Sequence, residues 1–355
     1  MNLEINNNKT SLPIENTEQF DRHPIPTEIT DDLFVAAPMD VKHDEISAPP
    51  ITFWKEAMGR LLKNKGSVIS LIILVLMIIL ALIGPQISGY TYKQQNIAHT
   101  NLPPKISGLE WLGFNGKDVH GIDQYKKRNI KSNHWFGTDE FGRDLWTRVW
   151  KGTQISLFIA LVAALLDLFI GVLYGGISAF YGGKVDNFMQ RIIEVLVGIP
   201  NLIVIILFIM IMEPGIRSII LAMIITGWVG MARVVRGQVL QLKGQEFVLA
   251  SRTLGASNGR LIGKHLLPNV MGPIIVTLTF TIPTAIFFEA FLSFIGLGLQ
   301  APLASLGVLI EDGYKGMRFF TYKLIFPAVV ISAVMISFNL LGDGLRDALD
   351  PKMRK

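Results

Sequence analysis

The stretch SVISLIILVLMIILALIGPQI, residues 67–87, runs for twenty-one residues without a charged side chain. A helix of about 20 apolar residues crosses the roughly 30 Å hydrocarbon core of a lipid bilayer. A run of this length and composition therefore predicts a transmembrane helix. Just before it lie Lys55, Arg60, Lys63 and Lys65, the kind of basic residues that flank a span on its cytoplasmic side.

Five further apolar runs follow the first. Hydropathy places them at residues 155–180, 192–212, 219–235, 273–299 and 324–341. Half of the 355 residues are hydrophobic and only 17% are charged, whereas a soluble domain carries about a quarter of charged residues. The sequence thus predicts an all-α integral membrane protein with six transmembrane helices.

Basic residues also predict the orientation of these spans. They cluster before the first span, between the fourth and fifth spans, and after the sixth, and with six spans all three clusters fall on one side. The positive-inside rule assigns that side to the cytoplasm. The loop at 88–154 is also basic and falls outside, but loops longer than about 60 residues translocate largely regardless of charge. Both termini are therefore expected in the cytoplasm.

This topology predicts five regions. Residues 1–50 hold ten Asp and Glu against three Lys and Arg, with several Pro, which predicts a disordered acidic cytoplasmic tail. A docking function for this tail is the alternative, and its opening MNLEINNNKT lacks the features of a cleavable signal peptide. The other regions are 51–88 with the first span, an extracytoplasmic loop at 89–154, a five-span core at 155–345, and a cytoplasmic tail at 346–355.

The loop GQVLQLKGQEFVLASRTLGASNGRLIGKHLLPN, residues 237–269, is too long for a simple connector. Its composition predicts a short helix over 245–254, closed by Gly255 as a C-terminal cap. Phe247, Leu249 or Ala250, and Leu254 can share one face of this helix. A short amphipathic helix outside the bilayer needs a lipid surface or another protein to cover such a face.

This loop resembles the EAA loop of ABC importer permeases, whose short coupling helix docks in a groove of an ATPase subunit. The family pattern is Glu-Ala-Ala, three residues, Gly, nine residues, then Ile-x-Leu-Pro. Ala250, Gly255, Leu267 and Pro268 match in register. At the other positions, Leu249 replaces the Glu, Ser251 the second Ala and His265 the Ile, while Glu246 precedes the motif as in the peptide-transporter branch.

Four other stretches resemble the C-type permeases of oligopeptide, dipeptide and nickel importers. They are ITFWKEAMGRLLKNKGSVISLIIL (51–74), HWFGTDEFGRDLWTRVWKGTQISL (134–157), EAFLSFIGLGLQAP (289–302) and FNLLGDGLRDALDP (338–351). One departure follows Pro302, where Leu306 replaces the usual Trp of Ser-Trp-Gly. This departure concerns the residues that correspond to the outer gate of the family's transport pathway, and it does not change the family resemblance.

The resemblance implies a type I ABC importer permease fold in the cytoplasmic membrane of a bacterium. It further implies a second homologous permease subunit, two ATPase subunits that carry ATP and Mg, and an external substrate-binding protein. Oligopeptides are the implied cargo, with dipeptides or nickel as the alternative. The residues expected to contact the ATPase are Gln245, Glu246, Phe247, Leu249, Ala250, Arg252, Leu254, Gly255, Leu267 and Pro268.

Three acidic residues within or near the apolar runs are candidates for the translocation pathway. They are Glu289, Asp167 and Glu194. An ionisable group within the membrane costs free energy, and such groups tend to face a cavity or a partner. For Glu289 the alternative is a structural hydrogen bond to a neighbouring helix. Asp167 and Glu194 can instead lie at shallower depth.

Several functions lack their sequence signals. There is no cysteine, no GxxxxGK[ST] phosphate loop, no metal-ligand spacing and no GxSxG nucleophile elbow. No catalysis, cofactor, metal or nucleic-acid partner is therefore expected of this chain. A secondary transporter, the remaining alternative, would predict paired ionisable residues at mid-membrane or repeated broken helices, and the sequence offers few of the former and no repeat.

Overall fold

A computed structural model of the chain describes residues 53–350. The predicted acidic tail at 1–50 and the last five residues lie outside this range. Within it the regular structure is helical, and extended pairing is limited to isolated bridges between residues 105 and 144. The helices are α1 Phe53–Lys63, α2 Lys65–Ile87, α3 Gln124–Lys127, α4 Leu145–Tyr181, α5 Gly183–Gly198, α6 Asn201–Met212, α7 Ile216–Leu242, α8 Glu246–Thr253, α9 Asn258–Arg260, α10 Met271–Phe294, α11 Leu306–Gly316 and α12 Tyr322–Leu349.

Five helical segments of the described chain are long and apolar enough to cross a membrane: α2, α4, α7, the run Asn258–Phe294 that ends with α10, and α12. A sixth span is present if α5 and α6 are counted together. These two helices are bent by 80° at their junction. Pro200 has no backbone N–H, and the residue before it, Ile199, is extended, so one continuous helix is impossible there.

The predicted boundaries of several spans need correction. The second span was expected to begin at residue 155, but α4 begins ten residues earlier, where Asp144 accepts a hydrogen bond from the Thr147 amide at 2.9 Å and caps the helix. Charged residues in this first part of α4 lower its mean hydropathy, so hydropathy alone places the start of the span too late. The fifth span was expected to reach residue 299, but α10 ends at Phe294 and the chain turns at Gly296, whose φ is +82°. The last helix instead runs on to Leu349.

The close packing of α4 against α7 depends on two glycines. A Cβ atom at Gly171 would lie 2.6 Å from Cβ of Met231, and one at Gly175 would lie 3.1 Å from the carbonyl carbon of Ala232. The first distance is shorter than real Cβ contacts, and the second is tighter than most of them. The small residues four positions apart in α4 therefore serve helix packing within the chain.

Residues 88–144, here called the cap, connect α2 to α4. The cap is folded rather than extended: Leu102 and Tyr125 are buried, and the Tyr125 hydroxyl donates to the Pro103 carbonyl at 2.9 Å. It is also joined to the start of α12, because the Tyr322 hydroxyl donates to the Thr138 carbonyl at 3.1 Å. The segment predicted as a loop thus forms a compact unit on the helix ends.

Candidate functional site

The segment 245–270, here called the coupling segment, leaves the helical bundle after α7 and returns to it at α10. The short helix predicted at 245–254 is confirmed to within one residue at each end, as α8. Gln245 is extended and precedes the first turn, and Gly255 has a φ of +83°. That conformation strains any residue with a Cβ atom, which explains why the helix stops at a glycine.

The helix α8 has one buried side chain. Val248 is 3% exposed and packs in a cluster with Val239, Leu261 and Leu266. By contrast, Phe247 is 42% exposed and Leu254 is 88% exposed. The predicted apolar face is therefore not covered by the part of the chain that the structure describes. Of the other predicted contact residues, Gln245, Glu246, Leu249, Ala250, Arg252 and Pro268 are also exposed, and Leu267 packs against the buried cluster.

Two contacts tie the coupling segment and the end of α7 to the end of α4. The guanidinium of Arg252 lies 5.8 Å from the ring centroid of Phe180, within the range of a cation–π contact. The Lys243 ammonium donates to the Ala179 carbonyl at 2.8 Å. The first contact links α8 to α4, and the second links the end of α7 to α4.

An ion pair lies about two turns before Lys243 in α7. Arg236 of α7 donates from Nε and Nη2 to the two carboxylate oxygens of Asp186 at 2.7 and 2.6 Å. The Ser178 hydroxyl donates to the same carboxylate at 2.5 Å. This bidentate pair fixes α7 to the junction of α4 and α5 in a defined orientation.

Asp167 lies beside a cavity of about 230 Å³ between α4, α6, α7 and α10. The residue is 6% exposed, and its Oδ1 atom is fully buried without a hydrogen-bond partner among the described residues. The facing residue is Gly227, where a Cβ atom would lie 2.6 Å from Oδ1. A glycine is required at this point because any side chain would occupy the space of the carboxylate.

Glu289 has different surroundings. It is completely buried, and its two oxygens accept hydrogen bonds from Ser156 at 2.8 Å and Ser293 at 2.9 Å. The Ser156 hydroxyl also accepts from the Leu306 amide at 3.1 Å, so the network joins α4, α10 and α11. These contacts correspond to the structural alternative, and Glu289 does not line the cavity beside Asp167.

Glu194 lies apart from both groups. It is exposed on α5, where it forms a pair with Arg191 at 2.6 Å. The three acidic candidates thus do not form one cluster. Asp167 alone combines burial, an unpartnered oxygen and a cavity.

Two features of the chain escaped the sequence reasoning. Val248 is the residue that holds α8 on the bundle, and the only signal for it was its position opposite the exposed apolar face. Arg148, 1% exposed, lies 3.4 Å from Asp139 and 3.7 Å from Asp312. The second of these partners is 164 positions away, and a single sequence contains no signal for a pair at that separation.

The described residues thus form a bundle with at least five helices long and apolar enough to cross a membrane, and a short helix, α8, that exposes apolar side chains. Two family models match the chain. The model described as "Binding-protein-dependent transport system inner membrane component" matches residues 168–355, and "N-terminal TM domain of oligopeptide transport permease C" matches residues 52–104. The first covers more than half of the chain.

Individual relatives agree with these models. The oligopeptide transport system permease protein OppC of Bacillus subtilis is 47% identical over 312 residues, covering 88% of this chain and 94% of that protein. The dipeptide transport system permease protein DppC of the same organism is 46% identical over 348 residues, covering 97% and 100%. The inward-facing MetNI methionine ABC transporter gives a TM-score of 0.48 at 20% identity, covering 57% of this chain and 96% of that chain.

The chain therefore belongs to the oligopeptide/dipeptide (Opp/Dpp-type) family of ABC importer permeases. The predicted family, the all-α fold class and the transport function are confirmed. Membership implies a multi-pass protein of a membrane, and it implies ATPase and binding-protein partners in general. The family consists of transport permeases and is not known for enzymes.

Proposed function

We propose that this chain is one of two different permease subunits in an importer of short peptides. Two ATPase subunits would carry ATP and Mg and would bind on the side of the coupling segment, and an external binding protein would deliver the cargo. Both termini and the coupling segment would then lie in the cytoplasm of a bacterium. The basic residues within this segment, among them Arg252, Arg260 and Lys264, support this orientation.

One observation carries the proposed coupling role. Phe247 and Leu249 of α8 and its C-cap residue Leu254 are apolar and 42%, 47% and 88% exposed, while Val248 anchors the helix. Such an exposed apolar group indicates a binding surface. The same helix is fixed to α4 through Arg252 and Phe180, so a force applied to it is passed to the bundle.

Transport requires two states of the bundle, and ATP binding must favour one of them by its differential affinity. Closure of the ATPase pair would move the two coupling segments towards each other. Asp186 and Arg236 would keep α7 aligned with α4 and α5 during this movement, because a bidentate ion pair resists rotation. The spans would then alternate between inward-open and outward-open arrangements.

The substrate is proposed from the relatives. Those of highest identity include both an oligopeptide and a dipeptide permease, at 47% and 46%. Their near-equal identity does not separate the two cargo lengths. We propose oligopeptides as the cargo, with dipeptides as the second candidate, and ATP-driven uptake of di-, tri- and pentapeptides by the intact transporter would separate them.

Co-purification with the ATPase subunits tests the coupling role. Leu254→Glu places a charge on the most exposed apolar residue of α8 and is expected to reduce ATPase retention at least tenfold, since each about 1.4 kcal/mol of lost binding corresponds to tenfold in affinity. The matched control is Leu112→Glu in the cap, where Leu112 is 54% exposed. Retention of the ATPase by the Leu254 variant at the level of the Leu112 variant would reject the coupling role of α8.

A further inference from the structure

The cavity beside Asp167 is lined by apolar side chains, neutral polar side chains and one charged group. Its charged lining group is a single carboxylate, and no Lys, Arg or His lines it. Its volume of about 230 Å³ is far more than one water molecule needs. An ionised carboxylate in such a place is costly unless a positive group pairs with it, and the protein supplies none among the residues that line the cavity.

The polar side chains of α10 add further acceptors to the same cavity. The hydroxyls of Thr277, Thr281 and Thr284 donate their protons to the carbonyls of Pro273, Thr277 and Phe280 at 2.8, 3.0 and 2.9 Å. Each hydroxyl has therefore used its single donor within its own helix and retains lone pairs. Three threonines of the lining thus present acceptors to a ligand.

The rings of Phe280 and Phe288 complete this side of the cavity. Aromatic faces attract cations, and the attraction is larger where water is excluded. A carboxylate, hydroxyl lone pairs and aromatic rings together match a ligand that carries a positive charge and only donors. An alkyl ammonium group has these properties, with three N–H donors and no acceptor.

We propose that the Asp167 cavity binds the protonated α-amino group of the transported peptide. This inference rests on the proposed peptide cargo, because the α-ammonium is the positive charge that every unblocked peptide carries. A divalent metal fits the site less well, since such ions prefer several carboxylates. The described residues contain no group of three or more His, Cys, Asp or Glu able to hold one.

The absence of cysteine from the chain provides a direct test. Thr284 is an exposed member of the lining, so Thr284→Cys introduces a single thiol at the cavity. Alkylation of this thiol by a maleimide would be measured in the complete transporter without binding protein. Tetra-alanine is expected to slow alkylation at least fivefold, and N-acetyl-tetra-alanine less than twofold.

Asp167→Asn in the Thr284→Cys background is expected to abolish protection by tetra-alanine while the rate without peptide stays the same. Thr279→Val is the matched control, because Thr279 lies on the same helix outside the cavity lining and its substitution should retain the protection. The neutral Asn is also expected to preserve or raise the melting temperature, since it removes an unpaired buried charge, so a folding defect would be recognised.

Three results would overturn the proposal: equal protection by the two peptides, protection that persists in the Asp167→Asn variant, or protection by sodium chloride alone, which would indicate a site for an inorganic cation. Uptake of labelled tetra-alanine by the unmodified transporter tests the proposed cargo separately. Protection without uptake would reject the cargo and keep the amine site, whereas uptake without Asp167-dependent protection would reject the site and keep the cargo.

Discussion

The cap and the coupling segment lie at opposite ends of α4 and differ in which side chains they bury and which they expose. Where the cap meets α4, two of its charged groups are buried and paired: Asp139 and Arg143 are 5% and 4% exposed, with Nε of Arg143 2.6 Å from the carboxylate. In the coupling segment, apolar Leu254 is 88% exposed. The cap is joined to the helix ends by buried ion pairs, whereas α8 is held by one buried side chain beside exposed apolar ones. Stability and function should therefore respond differently to substitution at the two ends.

The largest effect is expected at Arg148, at the base of the cap. Arg148→Met removes the buried cation near Asp139 and Asp312 and should lower the free energy of unfolding by about 3–5 kcal/mol, the usual result of breaking a buried ion pair. The measurement is thermal unfolding in detergent. Arg191→Ala is the control, since its pair with Glu194 is 80% and 55% exposed and should contribute less than about 1 kcal/mol. Equal effects of the two changes would remove the contrast between buried and exposed pairs.

A smaller effect is expected where the coupling segment meets the bundle. Val248→Ala deletes a side chain that is 3% exposed and should cost about 2 kcal/mol. The adjacent Leu249 is 47% exposed, and Leu249→Ala should stay within about 0.5 kcal/mol. Hydrogen exchange of α8 would show whether the loss is local. If Leu249→Ala destabilised the chain as much as Val248→Ala, the division of α8 into a buried and an exposed face would be incorrect.

The smallest effect is a pH dependence within the cap. Burial, together with nearby His134 and Arg128, lowers the pKa of His99 below its ordinary value of 6.5. The unfolded chain then binds a proton at His99 more readily than the folded chain does. The contribution of His99 to stability is therefore complete above about pH 6.5 and is lost as the pH falls through that value towards the folded pKa.

Melting temperatures of the wild type and His99→Gln between pH 7.5 and pH 5.0 would measure the contribution of His99 to the pH dependence of stability. The variant should show a shallower decline on acidification, because it lacks the group that takes up the proton. His120→Gln, at an exposed position of the cap, is the control and should follow the wild type. An identical decline in all three proteins would exclude His99 as a source of the pH dependence.

The sequence predicted those parts of the molecule whose signals are local. Apolar runs located the spans, and the pattern before Gly255 located α8 to within one residue at each end. The start of α4 was missed because residues such as Arg148 and Lys151 are polar, although the helix continues through them. Its cap at Asp144 becomes visible only when the Thr147 amide is seen to donate to it.

The acidic candidates show the limit of local reasoning. Asp167 and Glu289 look alike in sequence, each being one carboxylate in an apolar run. The structure separates them through distant neighbours: Glu289 accepts from Ser156, 133 positions away, while Asp167 faces Gly227 and a cavity. Whether a buried charge is satisfied depends on the packing of helices that are remote in the chain.

The contacts between the cap and the helix ends have a mechanical consequence. The first residues of α12 are fastened to the cap, because Lys323 donates to Asn101 and the ring of Phe326 stacks on Phe136 with centroids 3.9 Å apart. Arg148 fastens α4 to α11 at the same level. These three helices cannot slide past one another there without breaking buried contacts. We therefore expect this end of the subunit to move least, so that the movement proposed for α8 would grow with distance from it.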